Sequence, residues 1–213
     1  MSTEFELKDL IKDGIEKLQK ASDLDATVDA WLLAEEVLGI TRVQYFINPQ
    51  RLVNKEDADK FFKFIDMRCN KIPLQHITGK QEFMGLSFNV NEDVLIPRQD
   101  TEILVEMAVE VSTGKRVLDL CTGSGCIGLS IAVCGNPKAV TLSDVSEEAI
   151  ATAGQNERNL DKNGWKGKGR KPEITYALGN LWEPIDGKFD LIVSNPPYIE
   201  TEELSGLMPE VID

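Results

Sequence analysis

The stretch Arg116-Val117-Leu118-Asp119-Leu120-Cys121-Thr122-Gly123-Ser124-Gly125-Cys126-Ile127-Gly128-Leu129 constrains this chain most, because a short apolar run enters a glycine-punctuated turn and reopens as a helix-like segment, Ile127 to Val133. A strand, a tight turn and a helix in that order begin a βαβ unit, whose next strand lies parallel to the first. Further apolar runs near 139–144, 173–178 and 189–194 alternate with helical segments, so the expected fold class is α/β with a parallel sheet. Ligands of such sheets bind at the carboxyl ends of the strands. Gly123, Gly125 and Gly128 match a dinucleotide fingerprint, and Asp144 follows about 20 residues on, where a ribose-binding acid belongs.

That match leaves two cofactors open. A nicotinamide dinucleotide is held through its pyrophosphate by backbone N–H groups at the helix N-terminus. S-adenosylmethionine has no phosphate and carries an ammonium and a sulfonium. Asp119, at the strand end just before the glycines, suits the cationic group better than the anionic one, whereas Asp144 would accept ribose hydroxyls from either. The same glycines would also serve a plain strand-to-helix turn with φ > 0, and Asp144 a plain helix cap.

The fourth apolar run ends in Ser194-Asn195-Pro196-Pro197-Tyr198. Prolines have φ near −65° and no N–H, so the segment offers carbonyls to a visitor without competing donors, and Pro196 biases Asn195 toward an extended conformation. A planar –NH2 group could donate one hydrogen to the Asn195 side-chain oxygen and the other to the Pro196 carbonyl, with the Tyr198 ring on its face. Asn-Pro and Pro-Pro are also ordinary loop punctuation. The cofactor loop upstream is what turns the motif into a candidate grip for an amide or exocyclic amine.

The first part of the chain is helical. Leu7, Leu10, Ile11, Gly14 and Leu18 share one face, as do Ala30, Leu33, Ala34, Val37 and Leu38, and then Ala58, Phe61, Phe62, Ile65 and Cys69. Three or four such helices make a small bundle ending near Pro73, with Trp31, Phe46 and the phenylalanines as its core. Glu82 to Leu95 alternates apolar and polar residues around Met84-Gly85 and reads as a hairpin-like connector. A helix follows, with Ile103, Leu104, Met107, Ala108 and Val111 expected on its buried side. The expected domains are a helical domain at 1–75, a β-hairpin connector at 76–97 and a cofactor-binding catalytic domain at 98–213.

The net charge of −13 opposes binding to duplex nucleic acid, which rests on neutralising phosphates. One basic cluster, Lys162, Lys166, Lys168, Arg170 and Lys171, is interleaved with glycines and reads as a solvated loop. Cysteines 69, 121, 126 and 134 show no paired CxxC spacing, and His76 is the one histidine, so free thiols and no metal are expected. With no run of about 20 apolar residues and no signal-like N-terminus, a cytoplasmic location is expected.

Taken together, these segments resemble the peptide chain release factor glutamine N5-methyltransferases (HemK/PrmC family), within the class I S-adenosylmethionine-dependent methyltransferases. The resemblance rests on Asp119 to Gly125 and Asn195 to Tyr198, and more specifically on Pro73-Leu-Gln-His-Ile-Thr-Gly79, Glu82-Phe-Met-Gly-Leu86, Val94-Leu-Ile-Pro-Arg98, Asp100-Thr-Glu102 and Asp29-Ala-Trp-Leu-Leu33. It implies a Rossmann-like methyltransferase sheet. S-adenosyl-L-methionine would be bound by Asp119, Cys121, Thr122, Gly123, Ser124, Gly125 and Asp144, with Asn180 and Leu181 near the adenine and Asn195 beside the cofactor. Asn180 stands where the family often has an aspartate. Asn195, Pro196, Pro197 and Tyr198 would hold the reacting amide of the glutamine in the Gly-Gly-Gln loop of release factors, and the helical domain would help to hold that protein partner. The family's sheet usually has seven strands, so further strands are expected beyond Asp213, roughly a third of a typical catalytic domain. Rival readings are a ribosomal-protein glutamine as substrate, adenine N6 methylation of DNA through the same amine grip, or a shortened chain that binds partner or cofactor without turnover.

Overall fold

The computed structural model describes residues 4–21, 25–162, 167 and 169–197. The chain divides into two compact units, the first ending at Thr78 and the second starting at Gly79.

In the first unit, β1 (Phe5–Glu6) pairs antiparallel with β2 (Leu52–Val53) beside helices α1 (Leu7–Ala21), α2 (Ala26–Leu38), α3 (Arg42–Ile47), α4 (Lys55–Cys69) and α5 (Leu74–Thr78). Leu7, Leu10, Ile11, Gly14 and Leu18 of α1 are all buried, as three- and four-residue spacing requires. Gly14 is needed for the approach to α4, since a Cβ there would lie 2.6 Å from Phe61 Cζ. Asp25 caps α2 by accepting from Val28 N at 3.3 Å, and Asn54 caps α4 by accepting from Asp57 N at 2.9 Å. Asp29 on α2 and Arg68 on α4 form a buried ion pair at 2.7 Å, and Arg68 Nη1 also donates to the Ile72 carbonyl. Trp31 sits in the core, edge-on to Tyr45. Phe46 does not: it is 75% exposed, and Val43 and Ile47 stand out with it. A helix of six residues has one inward side, and Tyr45 occupies it, packed against the core.

The second unit begins with a hairpin, β3 (Lys80–Phe83) and β4 (Leu86–Asn89), joined by Met84 and Gly85 with φ of 52° and 69°. Two consecutive positive φ values make a type I′ turn, which matches the twist of the strands it joins. Phe83 and Phe88 pack edge to face, 6.2 Å apart, within the same core as the sheet. Then come a 3₁₀ turn at Gln99–Thr101, α6 (Glu102–Val111), β5 (Arg116–Leu120), α7 (Cys126–Cys134), β6 (Ala139–Asp144), α8 (Glu147–Lys162), β7 (Glu173–Leu178) and β8 (Leu191–Ser194). The sheet formed by the described residues is parallel, in the order β7-β6-β5-β8, so this unit is α/β as expected. The expected fourth strand starts two residues later than its apolar run, at Leu191 rather than Phe189.

The buried side of α6 differs from the expected one. Val105 and Ala108 are buried, whereas Ile103, Met107 and Val111 are 62%, 65% and 47% exposed. Seven of the ten residues of α6 are apolar and surround the axis, so periodicity alone could not select the face. Helix α7 is the opposite case, buried without interruption from Cys126 to Val133. Among the described residues no helix is long and apolar enough to cross a membrane.

Candidate active site

The register of the sheet brings the candidate residues to one edge. Leu120 on β5 stands level with Ser143 on β6 and Ser194 on β8, so Cys121, Asp144 and Asn195 leave adjacent parallel strands at their carboxyl ends. Asp144 in turn stands level with Leu178, which puts Gly179, Asn180 and Leu181 just past the end of β7. Ser194 ties β8 to this edge by donating its hydroxyl to the Leu120 carbonyl at 2.7 Å.

Asp119 is the anchor of the loop. It is fully buried in the central strand, and its Oδ2 accepts from Thr122 Oγ1 at 2.6 Å and from Gly128 N at 2.9 Å. The second bond works only because residue 128 is glycine: a Cβ there would lie 2.2 Å from Leu142 Cδ2 and 3.0 Å from Asp119 Oδ2. Burial pushes the Asp119 carboxyl up to about 7; the bonds from Thr122 and Gly128 hold it down and the charge of Asp144 adds to the rise. Its second oxygen, Oδ1, is buried and has no hydrogen-bond partner among the described residues. A carboxylate left this way is an acceptor waiting for a donor, best a cationic one.

The loop itself is shaped by left-handed residues. Cys121, Gly123 and Gly125 have φ of 61°, 53° and 79°. Gly123 meets nothing within 4 Å where a Cβ would be, so its requirement is conformational alone, while at Gly125 a Cβ would also lie 3.0 Å from Ala153 Cβ and from Leu129 Cδ1. Gly123 N donates to Asp144 Oδ2 at 2.9 Å and Ser146 N donates to Asp144 Oδ1 at 3.1 Å. Asp144 thus orders the loop through one lone pair on each oxygen and keeps others for a ligand hydroxyl. Thr122 and Ser124 are buried. The Cys121 thiol is pushed up by burial and then by the charge of Asp144. Cys126, deeper in α7, is pushed up to about 12 by burial, which keeps it an inert thiol.

Asn180 is exposed, and Leu181 is 46% exposed with φ of 47°, an uncommon conformation for a branched side chain. Asn195, Pro196 and Pro197 follow β8 directly, outside any strand or helix, while Tyr198 lies outside the described residues. Of the basic cluster, Lys166 and Lys168 also lie outside them, and Lys171 bonds Glu157 at 2.7 Å and Asp161 at 2.5 Å. His76 falls on α5 in the first unit. Among the described residues no cluster of His, Cys, Asp and Glu could hold a metal ion.

Two polar residues that sequence reasoning missed complete the site. Asn156, almost wholly buried on α8, donates to the Ser124 carbonyl at 2.9 Å and to the Asn89 carbonyl at 3.0 Å, and accepts from Asn89 N at 2.7 Å. One side chain thereby joins the glycine loop to the hairpin. Glu102 Oε1 accepts from Met84 N at 2.7 Å and holds the hairpin turn to the start of α6. The available signal for Asn156 was a poor helix former among alanines on the inner face of α8.

The arrangement fits a small cationic metabolite with ribose hydroxyls, because the buried unpartnered oxygen belongs to an acid and the strand-end acid beside it still has accepting capacity. Comparison with known proteins gives the family. Residues 9–79 match the family described as PrmC N-terminal domain, and residues 98–211 match the methyltransferase small domain. A release factor glutamine methyltransferase of Clostridium acetobutylicum is 38% identical over 215 residues, covering 98% of this chain and 73% of that protein. One of Clostridium botulinum is 40% identical over 212 residues, covering 96% and 72%. One of Leptospira interrogans is 37% identical over 210 residues, covering 96% and 71%.

Proposed function

This chain belongs to the release factor glutamine methyltransferase family, and we propose that it transfers a methyl group from S-adenosyl-L-methionine to the side-chain amide nitrogen of the glutamine in the Gly-Gly-Gln loop of peptide chain release factors, in the cytoplasm. The observation that carries this reading is the alignment of Asn195 with Cys121 and Asp144 at the ends of neighbouring strands, which sets an amide grip beside a loop suited to a cation. The bound cofactor supplies an electrophilic methyl on a sulfonium.

The protein's part is to hold and orient. Asp119 Oδ1 would accept from the ammonium of the cofactor's methionine moiety, Asp144 would take the ribose hydroxyls, and Gly123 and Gly125 would let the backbone come close. Asn180 and Leu181 would hold the adenine. An amide nitrogen is a weak nucleophile because its lone pair is delocalised into the carbonyl. Asn195 Oδ1 accepts one amide hydrogen and the Pro196 carbonyl the other, which turns the nitrogen toward the methyl. Alignment of this kind contributes up to about 7–11 kcal/mol of barrier reduction, and fixed dipoles stabilise the charge that grows on nitrogen. As the methyl reaches nitrogen its bond to sulfur would break and leave S-adenosyl-L-homocysteine, and the surplus amide proton would pass to water, so no general base acts before attack. Tyr198 would pack on the amide plane. The helical unit helps to hold the protein substrate, and Val43, Phe46 and Ile47 offer it exposed apolar surface.

The test is methyl transfer from labelled cofactor to a purified release factor, with Asn195→Ala alongside. Loss of transfer with cofactor affinity within about twofold of the parent chain is expected. Equal loss of both would place Asn195 in cofactor binding alone, and label appearing away from the Gly-Gly-Gln glutamine would refute the substrate.

A further inference from the structure

We propose that Thr101 is a positioning residue that fixes which end of the Asn195 side-chain amide faces the substrate. The inference rests on the reading of Asn195 as the amide grip. An asparagine side chain has a donating and an accepting end of nearly equal size. Only the accepting end can take a hydrogen from an incoming –NH2; the reversed amide would set donor against donor. Something in the protein must therefore select the orientation.

Thr101 stands at the N-cap position of α6, where a threonine hydroxyl ordinarily accepts from the backbone N–H of the first turn. Here it makes no capping bond. Its hydroxyl instead donates to Asp100 Oδ1 at 3.2 Å and lies 3.5 Å from Asn195 Nδ2. Asp100 Oδ2 is held by Arg98 Nη2 at 3.1 Å, which leaves Oδ1 to take the hydroxyl proton. A hydroxyl has one proton. With that proton committed to Asp100, Thr101 presents only lone pairs to Asn195, so Nδ2 turns toward Thr101 and Oδ1 is left for the substrate. The contact to Asn195, at 3.5 Å, is longer than an ordinary N–H···O bond; active-site bonds that are long in the free protein tighten in the complex. The order Arg98, Asp100, Thr101, Asn195 thus carries the direction of one proton from an exposed ion pair to the reacting amide.

Three variants and three readouts test this. Thr101→Val removes the acceptor while keeping the shape, Thr101→Ser restores it, and Asp100→Ala frees the hydroxyl proton to point at Asn195. Turnover with release factor should fall about five- to tenfold in Thr101→Val and Asp100→Ala, the size expected for one hydrogen bond, and return close to the parent value in Thr101→Ser. Cofactor affinity should stay constant throughout. Independently of activity, the side-chain NH2 signals of Asn195, assigned by their loss in Asn195→Ala, should move toward free-amide positions in Thr101→Val and stay in place in Thr101→Ser. Unchanged turnover and signals in Thr101→Val would overturn the proposal. So would a serine variant as impaired as the valine one, or a loss of cofactor affinity in step with turnover. If Asn195→Ala abolishes transfer while Thr101→Val is fully active, the relay alone fails; if Asn195→Ala is itself fully active, the amide-grip reading fails and the relay with it.

Discussion

The buried carboxyl of Asp119 should make cofactor binding depend on pH, because a group pushed up to about 7 is largely protonated just where a cation needs it ionised. With that value the carboxylate is about one-tenth ionised at pH 6 and about three-quarters ionised at pH 7.5. The methionine ammonium of the cofactor remains charged over this interval, so affinity should rise about eightfold, somewhat over 1 kcal/mol. The assay is a cofactor titration by calorimetry or fluorescence at half-unit steps from pH 5.5 to 7.5. Asp119→Asn should bind more weakly than the parent at pH 7.5 and lose the slope. A flat profile in the parent chain, or the same slope in Asp119→Asn, would refute the argument. The stability of the free protein depends on pH in the opposite direction. The folded value, about 7, lies above the ordinary 3.8, so the folded state retains a proton that the unfolded state has already released. Stability therefore falls as pH rises from about 4 to about 7, by at most about 4 kcal/mol from this group, and is flat above and below that window.

Other outcomes follow from the same contacts. Asn156→Ala should destabilise the second unit by roughly 3 kcal/mol, since it leaves buried groups of Ser124 and Asn89 unpaired; denaturant unfolding measures this, and hydrogen exchange should show the Asn89 amide losing protection. Gly123→Ala should cost about 1–2 kcal/mol for its left-handed backbone, whereas Gly125→Ala should cost clearly more because it also crowds Ala153 and Leu129. Equal losses at the two glycines would mean that the crowding relaxes away.

The parallel sheet was legible because a buried strand such as β5 leaves a near-continuous apolar run, and all four expected strands formed, although β7 carries no buried residue. The hairpin was legible because Met84-Gly85 interrupts an alternating pattern. The face of α6 was not, since apolar residues surround its axis and only the packed partners decide which of them is buried. Phe46 was misplaced for a related reason: spacing places residues on faces, yet a six-residue helix has too few turns for spacing to say which face is inward. In the site, glycines and strand-end acids carry a local signature, whereas the bonds made by Asn156 join residues 32 and 67 positions apart, and the contact of Thr101 with Asn195 spans 94. Local patterns cannot encode such pairs.

Departures from local rules gather where the chemistry is proposed. Of the non-glycine residues with positive φ among those described, Met84 completes a hairpin turn and Lys71 follows the end of α4, which are positions that call for that conformation. Leu181 lies inside the turn closed by Glu183 N donating to the Asn180 carbonyl at 3.0 Å, whereas Cys121 completes no such turn, and both stand at the carboxyl edge of the sheet. The buried carboxylate of the central strand lies at the same edge, with one oxygen unpartnered. Strained backbone and buried unpaired charge each cost free energy that a purely structural edge would have no reason to retain. A bound cation would relieve the second of these directly by giving Asp119 Oδ1 its missing donor. On the proposed function, the strain of the loop and the affinity for cofactor would be two sides of one arrangement, in which the free protein is held in the shape that binding needs.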